Sequence, residues 1–429
     1  MPAPDVAALL AELERAAPEV AEPARVAVEW LTGGEALETI SQLDVCEFLW
    51  YTLPLKVSGD HAVIAGALSR LLRLGGMERY AALCDAPLTL TILRTYAEDG
   101  EEAGAHAYHQ ALEGTGVLPP DVEELSWSSI MGPEELGAHV ACAAALELAL
   151  VSGVDTPRDA LTRRWLTEPR AELGGDCWLH RVHGERLNRW VLGRGSARRE
   201  LAQPFEVRLH APIAMPDEPV LEPLRWLLEM DRIPLTAKFN LARALVVEAT
   251  ERYGWEVMTS GVPRSEAEVP ALVTLRKIAV DELRALERTG RRLGRTPGST
   301  ALLADRAKLW QAATITLLTP GTGEHDFEVS VREAALMLLA DGTPLRTEDL
   351  RRRVADVVNG EGWRAASGGA VNSLDLAAPL AELQRRLDAF NLRVSCSRQA
   401  PWQLSAAGQA AALAALRTQA LRPRQYAGI

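Results

Sequence analysis

A pattern that occurs twice in the second half of the 429-residue sequence constrains the fold more than any other feature. Residues 227–255 read LLEMDRIPLTAKFNLARALVVEATERYGW, and residues 338–363 read LLADGTPLRTEDLRRRVADVVNGEGW. Both copies contain a Leu pair, a Pro-Leu, a Leu six or seven residues after the Pro, and a closing Gly-Trp. Because a repeated sequence unit indicates a repeated piece of structure, we expect two related folding units in this part of the chain.

Each copy begins a longer unit in which three helices precede two short extended arms, which is the outline of a winged helix. The first unit covers 216–320, with the arms of RRLGRTPGSTALL placed around Pro297 and Gly298. The second unit covers 328–429, with the arms of LRVSCSRQAPWQLS placed around a polar turn. In each unit, the Pro of the repeat should open the turn before the second helix, and the closing Trp should pack as core near that helix's end. These residues are Pro234 and Pro344, and Trp255 and Trp363.

The first part of the chain differs from these units in charge. Residues 1–160 contain 26 Asp/Glu and 8 Lys/Arg, a net charge of −18 within a total of −12. Apolar residues recur at helical spacing there, so residues 1–155 predict an acidic, all-helical domain. Residues 156–215 predict an Arg-rich helical segment with one strand, FEVRLH, and a Pro-rich linker lies at 212–223. The chain as a whole is predicted to be mostly α-helical.

Composition also bears on the compartment. The five cysteines are scattered and form no C-x-x-C pair, which is typical of reduced thiols in a cytoplasmic protein. The N-terminus carries acids where a signal peptide needs bases. The most apolar run, 140–151, is too short to span a bilayer. We therefore expect a cytoplasmic protein with no membrane contact.

Several phrases of the sequence are distinctive in combination. They include FLWYTLPLK (48–56), GVLPPDVEELSW (116–127), MGPEELGAH (131–139) and QLSAAGQAAALAALR (403–417). With these phrases the chain resembles, over most of its length, a family of long, mostly helical proteins from high-GC bacteria. The sequence departs from that family at Ser128, where such sequences tend to have Gly. The family has no established activity, so the resemblance implies a helical architecture and leaves the function open.

Motifs of common enzyme chemistries are missing from the sequence. There is no G-x-S-x-G nucleophile elbow, no G-x-x-x-x-G-K-[ST] or G-x-G-x-x-G phosphate loop, and no H-E-x-x-H zinc-protease motif. We therefore expect no cofactor and lean against an enzyme. An enzyme with an unfamiliar site stays open as a third hypothesis.

One segment, CWLHRVH, carries metal-ligating residue types at helical spacing. Cys177, His180 and His183 lie at i, i+3 and i+6, and a thiolate with imidazoles suits zinc. A tetrahedral site needs three or four protein ligands, and no second ligand pair lies nearby in the sequence. The pattern therefore favours a buried Cys beside two surface His over a metal site.

Basic residues on the third helices and arms are the remaining functional signal. In winged-helix proteins that bind DNA, the third helix enters the major groove. The candidate contacts are Gln384, Arg385, Arg386 and Arg398 in the second unit, and Arg276, Lys277, Arg291, Arg292 and Arg295 in the first. Against this interpretation, intrahelical pairing with Glu382 and Asp388 could neutralise the second cluster.

These signals support three hypotheses for the function. The first is a non-enzymatic, DNA-associated regulatory protein whose C-terminal units contact duplex DNA and whose N-terminal domain binds a protein partner. The second is a protein-protein interaction scaffold without nucleic-acid binding, because winged helices also serve as protein-binding modules. The third is the enzyme with an unrecognised site.

Overall fold

The computed structural model is 63% helix and 4% strand, which confirms the mostly helical prediction. The structure describes residues 5–33, 36–193, 195–217, 220–321 and 323–425. Residues 218 and 219 of the expected linker therefore lie outside the described residues. The chain divides into two compact units: unit 1 runs to Val182 and resumes at Pro423, and unit 2 is His183–Arg422.

In its described residues unit 1 is mostly helical, with an irregular stretch at 115–132 that contains a bridge between Val122 and Leu125, and α11 continues into unit 2. Its helices are α1 (Val6–Ala16), α2 (Pro18–Thr32), α3 (Gln42–Glu47), a π-helical segment (Phe48–Thr52), α4 (Leu53–Lys56), α5 (His61–Leu74), α6 (Glu78–Cys84), α7 (Pro87–Asp99), α8 (Glu101–Gly114), α9 (Pro133–Val151), α10 (Arg158–Thr167) and α11 (Trp178–Leu192). Short 3-10 turns lie at Leu37–Thr39 and Ala171–Leu173.

Side-chain caps set where two helices of unit 1 begin. Asp60 accepts hydrogen bonds from the backbone N–H groups of Ala62 and Val63 at the start of α5. Ser41 and Asp44 form a reciprocal capping box at the start of α3. Such caps satisfy N–H groups that have no partner inside the helix. Between the caps, apolar faces bury a core that includes Trp50.

Unit 2 contains both copies of the sequence repeat and the short strands. Its elements are α12 (Ser196–Ala202), α13 (Glu206–Leu209), α14 (Glu222–Glu229), β1 (Ile233–Pro234), α15 (Arg243–Tyr253), a 3-10 turn (Glu266–Glu268), α16 (Pro270–Lys277), a π-helical segment (Ile278–Glu282), β2 (Leu286–Thr289), β3 (Arg292–Arg295), α17 (Pro297–Ala304), α18 (Arg306–Thr316), α19 (Asp326–Leu339), α20 (Thr347–Gly360), α21 (Ala377–Ala389) and α22 (Ala406–Ala420). The sheet is antiparallel with the strand order β1-β3-β2.

The repeated Pro-Leu makes the same backbone contact in both copies. The N–H of Leu235 donates to the carbonyl of Arg291 at 2.9 Å, and the N–H of Leu345 donates to the carbonyl of Trp402 at 2.9 Å. Pro234 itself lies in β1. The Pro-Leu of the repeat is thus a strand-pairing element. The expected turn before α15 follows Pro234 by two residues, and in it the N–H of Phe239 donates to the carbonyl of Thr236 at 3.0 Å. A Pro at a strand edge needs no ladder partner for its nitrogen.

The closing Trp of each copy packs against one shared core, as the repeat predicts. Trp255 is buried, and its indole N–H donates to the backbone carbonyl of Asp388 at 2.8 Å. Trp363 is half-buried and meets the ring of Phe327 edge-on, with 5.6 Å between the ring centroids. Trp255 belongs to a hydrophobic core that is continuous across the two copies, and Trp363 packs against the edge of this core as a partly buried residue.

The segment FEVRLH, expected as a strand, is helical instead. Glu206–Leu209 form α13, with Leu209 buried and Val207 83% exposed. The side chain of Arg417 donates to the carbonyl of Leu209 at 2.9 Å, so the end of this helix is satisfied by a partner distant in sequence. The alternation of apolar and polar residues over these six positions therefore did not determine the backbone conformation of the segment. Among the described residues, no helix is both long enough and apolar enough to cross a membrane.

Candidate nucleic-acid interface

The β2–β3 hairpin turns at Gly290, whereas the sequence placed the turn at Pro297 and Gly298. Gly290 has a φ of 61° at the first position of a two-residue loop, where a positive φ suits glycine and matches the strand twist. Pro297 begins α17, and the Thr296 side chain accepts the N–H of Ser299 as the cap. Proline fits the first helical position because its missing N–H would have no partner there.

Apolar side chains hold this hairpin against the core. Leu286 and Leu293 are buried, and Ile233 of β1 pairs with Leu293. The N–H of Thr296 donates to the carbonyl of Ala285 at 3.0 Å and closes the base of the hairpin. The hairpin is therefore anchored on one side, which leaves its other positions free to carry charge.

Five arginines of the hairpin and its base are exposed: Arg284, Arg288, Arg291, Arg292 and Arg295. Across the described ranges, none of the five has a carboxylate oxygen within 4.0 Å. Glu287 is the single acid between residues 284 and 296. Arg284 and Arg288 were not among the predicted contacts, because the hairpin was expected around Pro297 and Gly298. The result is a dense positive surface, and arginine is well suited to pair with phosphate.

The exposed aromatic ring of Phe239 contacts one of these arginines, Arg288. The guanidinium of Arg288 lies 4.5 Å from the centroid of the Phe239 ring. Phe239 has a φ of 60° and is 44% exposed, and its neighbour Lys238 is also exposed. A cation over an exposed ring gains about 0.5–1 kcal/mol, so Arg288 is oriented without losing its charge. The loop between β1 and α15 thus adds a further cation near the hairpin.

The third helix of the first copy, α16, contributes less than the sequence suggests. Arg276 donates to the buried carboxylate of Glu266 at 2.5 Å, and Glu266 also accepts the N–H of Leu241 at 2.7 Å. Arg276 therefore takes part in an internal ion pair that stabilises the fold. Lys277 is exposed, and no carboxylate lies within 4.0 Å of it in the described part of the chain.

Arg386 of the second copy is a core residue, which corrects its expected role as a DNA contact. Its side chain is 0% exposed, and its two terminal nitrogens each lie 2.9 Å from an oxygen of Glu282. Its Nε donates to Glu382 at 2.8 Å. The cause is the packing of α21 against α16, which turns the two third helices toward each other. A buried guanidinium needs such partners to offset its lost hydration.

The other residues expected to contact DNA from the second copy lie together on a cavity of about 250 Å³. Gln384, Arg385 and Arg398 line it. Arg385 donates to Glu382 at 2.7 Å, and Arg398 lies 3.4 Å from Glu256. The intrahelical neutralisation considered for Arg385 is thus present. This surface carries balanced charge, unlike the hairpin of the first copy.

Two further groups on this cavity are shifted by burial. Burial raises the pKa of the Asp388 carboxyl to about 6, although the guanidinium of Arg393 lies 3.0 Å away and opposes the shift. Burial, followed by the Asp388 charge, raises the pKa of the Cys396 thiol to about 12. A thiol that stays protonated is a poor nucleophile. The cavity therefore does not present an activated cysteine.

The metal candidates remain a helix segment without a ligand set. Nδ1 of His180 lies 2.9 Å from a carboxylate oxygen of Asp176. The pKa of Asp176 is lowered, first by the backbone N–H of Cys177 and then by His180. In the described ranges, no group of three or more His, Cys, Asp or Glu side chains could hold a metal ion, so Cys177, His180 and His183 do not complete one.

Comparisons of the chain with models of protein families, with curated proteins and with solved structures found no match.

Proposed function

We propose that unit 2 is a pair of winged-helix-like units. The first copy orders its elements as α14, β1, α15, α16, β2 and β3, with β1 paired to β3. The second orders α19, α20 and α21 before a hairpin that is reduced to isolated bridges. These bridges join Leu345 to Trp402 and Arg393 to Leu404. The equivalent pairing of Leu235 and Leu345 supports a common plan.

On this framework, the protein is a non-enzymatic, DNA-associated regulatory protein that contacts the phosphate backbone through the hairpin of its first copy. The observation that carries the proposal is the cluster of exposed arginines between residues 284 and 295, which have no carboxylate partner among the described residues. Phosphate contacts position a protein on DNA but carry no sequence information. Because α16 and α21 pack together, we propose backbone binding with little base readout.

This proposal sets the salt dependence of binding. If about four arginines each neutralise a phosphate, log K should fall against log salt with a slope near −3.6. The acidic first 160 residues oppose non-specific attraction, so binding should be confined to the hairpin surface.

Fluorescence anisotropy with a labelled duplex, at low and at moderate salt, tests the proposal. The double variant Arg291→Ala, Arg292→Ala should weaken binding more than tenfold and reduce the salt slope by about 2. The matched control is Arg352→Ala, Arg353→Ala on α20, which removes the same charge from exposed positions. No binding at either salt, or equal weakening by both double variants, would refute the proposal.

A protein-interaction scaffold is the second candidate, and one observation in unit 1 favours it. Helix α9 exposes an apolar face on which Leu136 is 53%, Val140 37%, Leu148 64% and Val151 64% exposed. These positions and Ala144 are three or four residues apart, so they lie along one side of the helix. An uninterrupted apolar face is more typical of an interface than of a solvated surface.

Charge defines the partner that this face would accept. Residues 1–160 have a net charge of −18, so a partner helix with an apolar stripe and basic flanks is complementary. A synthetic helix of that kind should bind the whole chain more tightly than the same helix with its Lys changed to Glu. Leu148→Glu should abolish the difference. Equal binding of the two peptides would remove this support for the scaffold.

The third hypothesis, an enzyme, gains no support from four of the five cysteines. Burial raises the pKa to about 12 for each of Cys46, Cys84, Cys142 and Cys396. Such thiols stay protonated and unreactive near neutral pH.

A further inference from the structure

Unit 1 contains a cavity of about 590 Å³ bordered by α7 and α8. Cavities of about 300–1,000 Å³ are typical of small-molecule sites. None of the lining residues, which include Trp50, Thr91, Gln110 and Ala111, is charged, although they lie in the most acidic part of the chain. This cavity is remote in sequence from the basic hairpin and is independent of the proposed DNA contact.

An unusual stretch of backbone supplies the aromatic wall of the cavity. Trp50 lies in the π-helical segment Phe48–Thr52. Its indole N–H donates to the hydroxyl of Thr89 at 2.8 Å, and that hydroxyl donates to the carbonyl of Leu83 at 2.7 Å. The polar edge of the indole is therefore satisfied within the protein, which leaves an apolar ring surface at the cavity. Single π-helical turns are rare and frequently lie at functional sites.

Polar groups at the cavity are few, and one of them lacks a partner. The side-chain amide of Gln110 makes no hydrogen bond to any described residue. Thr91 donates its hydroxyl to the carbonyl of Pro87 at 2.9 Å and keeps its acceptor capacity. Because Gln110 is exposed, its amide is hydrated in the free protein, and a ligand group that both donates and accepts would replace that water.

From these features we infer that the cavity binds an uncharged, mainly apolar small molecule that carries a hydrogen-bonding group. The uncharged lining determines the class of ligand that the cavity can bind. An ion that leaves water for a wall without counter-charge loses several kcal/mol of hydration without compensation. An anion would also be repelled by the acidic unit outside, and a cation would find no carboxylate in the lining.

Displacement of a neutral fluorophore from the full-length protein tests the inference. N-phenyl-1-naphthylamine should bind with enhanced fluorescence, and decanol should displace it at least tenfold better than decanoate or decylamine. The three competitors share one chain length and differ in headgroup charge. Absence of probe binding, or equal displacement by either charged competitor, would overturn the inference.

Two variants locate the binding in this cavity. Ala111→Phe fills the space and should weaken probe binding at least tenfold, whereas Ala144→Phe on the exposed face of α9 should leave it unchanged. Gln110→Ala, an exposed position that leaves the fold intact, should weaken decanol several-fold and leave the fluorophore affinity unchanged. Equal effects of Ala111→Phe and Ala144→Phe would place the probe elsewhere and contradict the inference.

Discussion

The guanidinium of Arg386 on α21 and the carboxylate of Glu282, at the end of the π-helical segment that continues α16, form a two-pronged ion pair between the two repeat copies. Both nitrogen–oxygen distances are 2.9 Å, and the arginine side chain is 0% exposed. Burial raises the pKa of Glu282 while Arg386 opposes that shift. For Glu382, the hydrogen bonds and charges of the two neighbouring arginines overcome burial and lower its pKa. The pair therefore fixes the register between α16 and α21.

Removal of one partner of this pair should be costly. We expect Arg386→Ala to lower the free energy of unfolding by about 3–5 kcal/mol, because it leaves Glu282 buried without its counter-charge. Arg385→Ala, which removes a half-exposed pair on the same helix, should cost no more than about 1 kcal/mol. Urea denaturation measures both. Similar losses from the two variants would show that the buried pair is not special.

Acid should weaken unit 1 through His139. Burial lowers the pKa of His139 to about 4, with Glu135 acting in the opposite sense, whereas the unfolded value is 6.5. The unfolded chain therefore binds more protons between these values, and stability falls as pH falls through this window. Between pH 7 and pH 5 the wild type should lose about 2 kcal/mol more than His139→Gln. Urea titrations at the two pH values measure this, and parallel losses would contradict it.

The stability that Asp388 contributes to unit 2 should change with pH in the opposite direction, falling as pH rises. Its folded pKa of about 6 lies above the unfolded value of 3.8 because of burial, so the folded state binds the extra proton. Its contribution to stability is complete below pH 3.8 and is lost as pH rises through 6. Relative to Asp388→Asn, the wild type should lose about 1–2 kcal/mol between pH 5 and pH 8. Identical pH profiles for the two proteins would show that Asp388 does not titrate in this range.

Two glycines of unit 1 should respond oppositely to alanine. A Cβ at Gly104 of α8 would overlap the ring of Tyr96, so Gly104→Ala should lower stability by about 1–3 kcal/mol. A Cβ at Gly66 of α5 meets no atom within 4 Å, so Gly66→Ala should raise stability by about 0.5–1 kcal/mol. Thermal unfolding compares them, and a stabilising Gly104→Ala would show that α7 and α8 pack less closely.

The sequence predicted features that depend on local patterns. Helical periodicity gave the mostly helical class, and the repeat predicted Trp255 as core. Pairing of Arg385 with Glu382 also follows from a spacing of three residues on one helix. Such features depend only on residues that are close in the sequence, so they could be predicted without the structure.

The sequence did not reveal which residues pair when they are far apart in the chain. Glu282 lies 104 residues before Arg386, and no local pattern links the two. The sequence offered Asp388 as a neutralising neighbour, but residues two apart do not face each other on a helix. Arg284 and Arg288 were not predicted because the hairpin was expected around Pro297 and Gly298, whereas it turns at Gly290. The first failure concerns tertiary context, and the second concerns the position of a local turn.

The shared core of the two repeat copies has a consequence for mass action. Two separate molecules of a small domain dissociate on dilution, so their association depends on concentration. Here the partners belong to one polypeptide, and the chain between them supplies a high effective concentration. Their stoichiometry is fixed when the chain is synthesised. A function that requires both copies should therefore operate unchanged at the lowest expression level at which the protein folds.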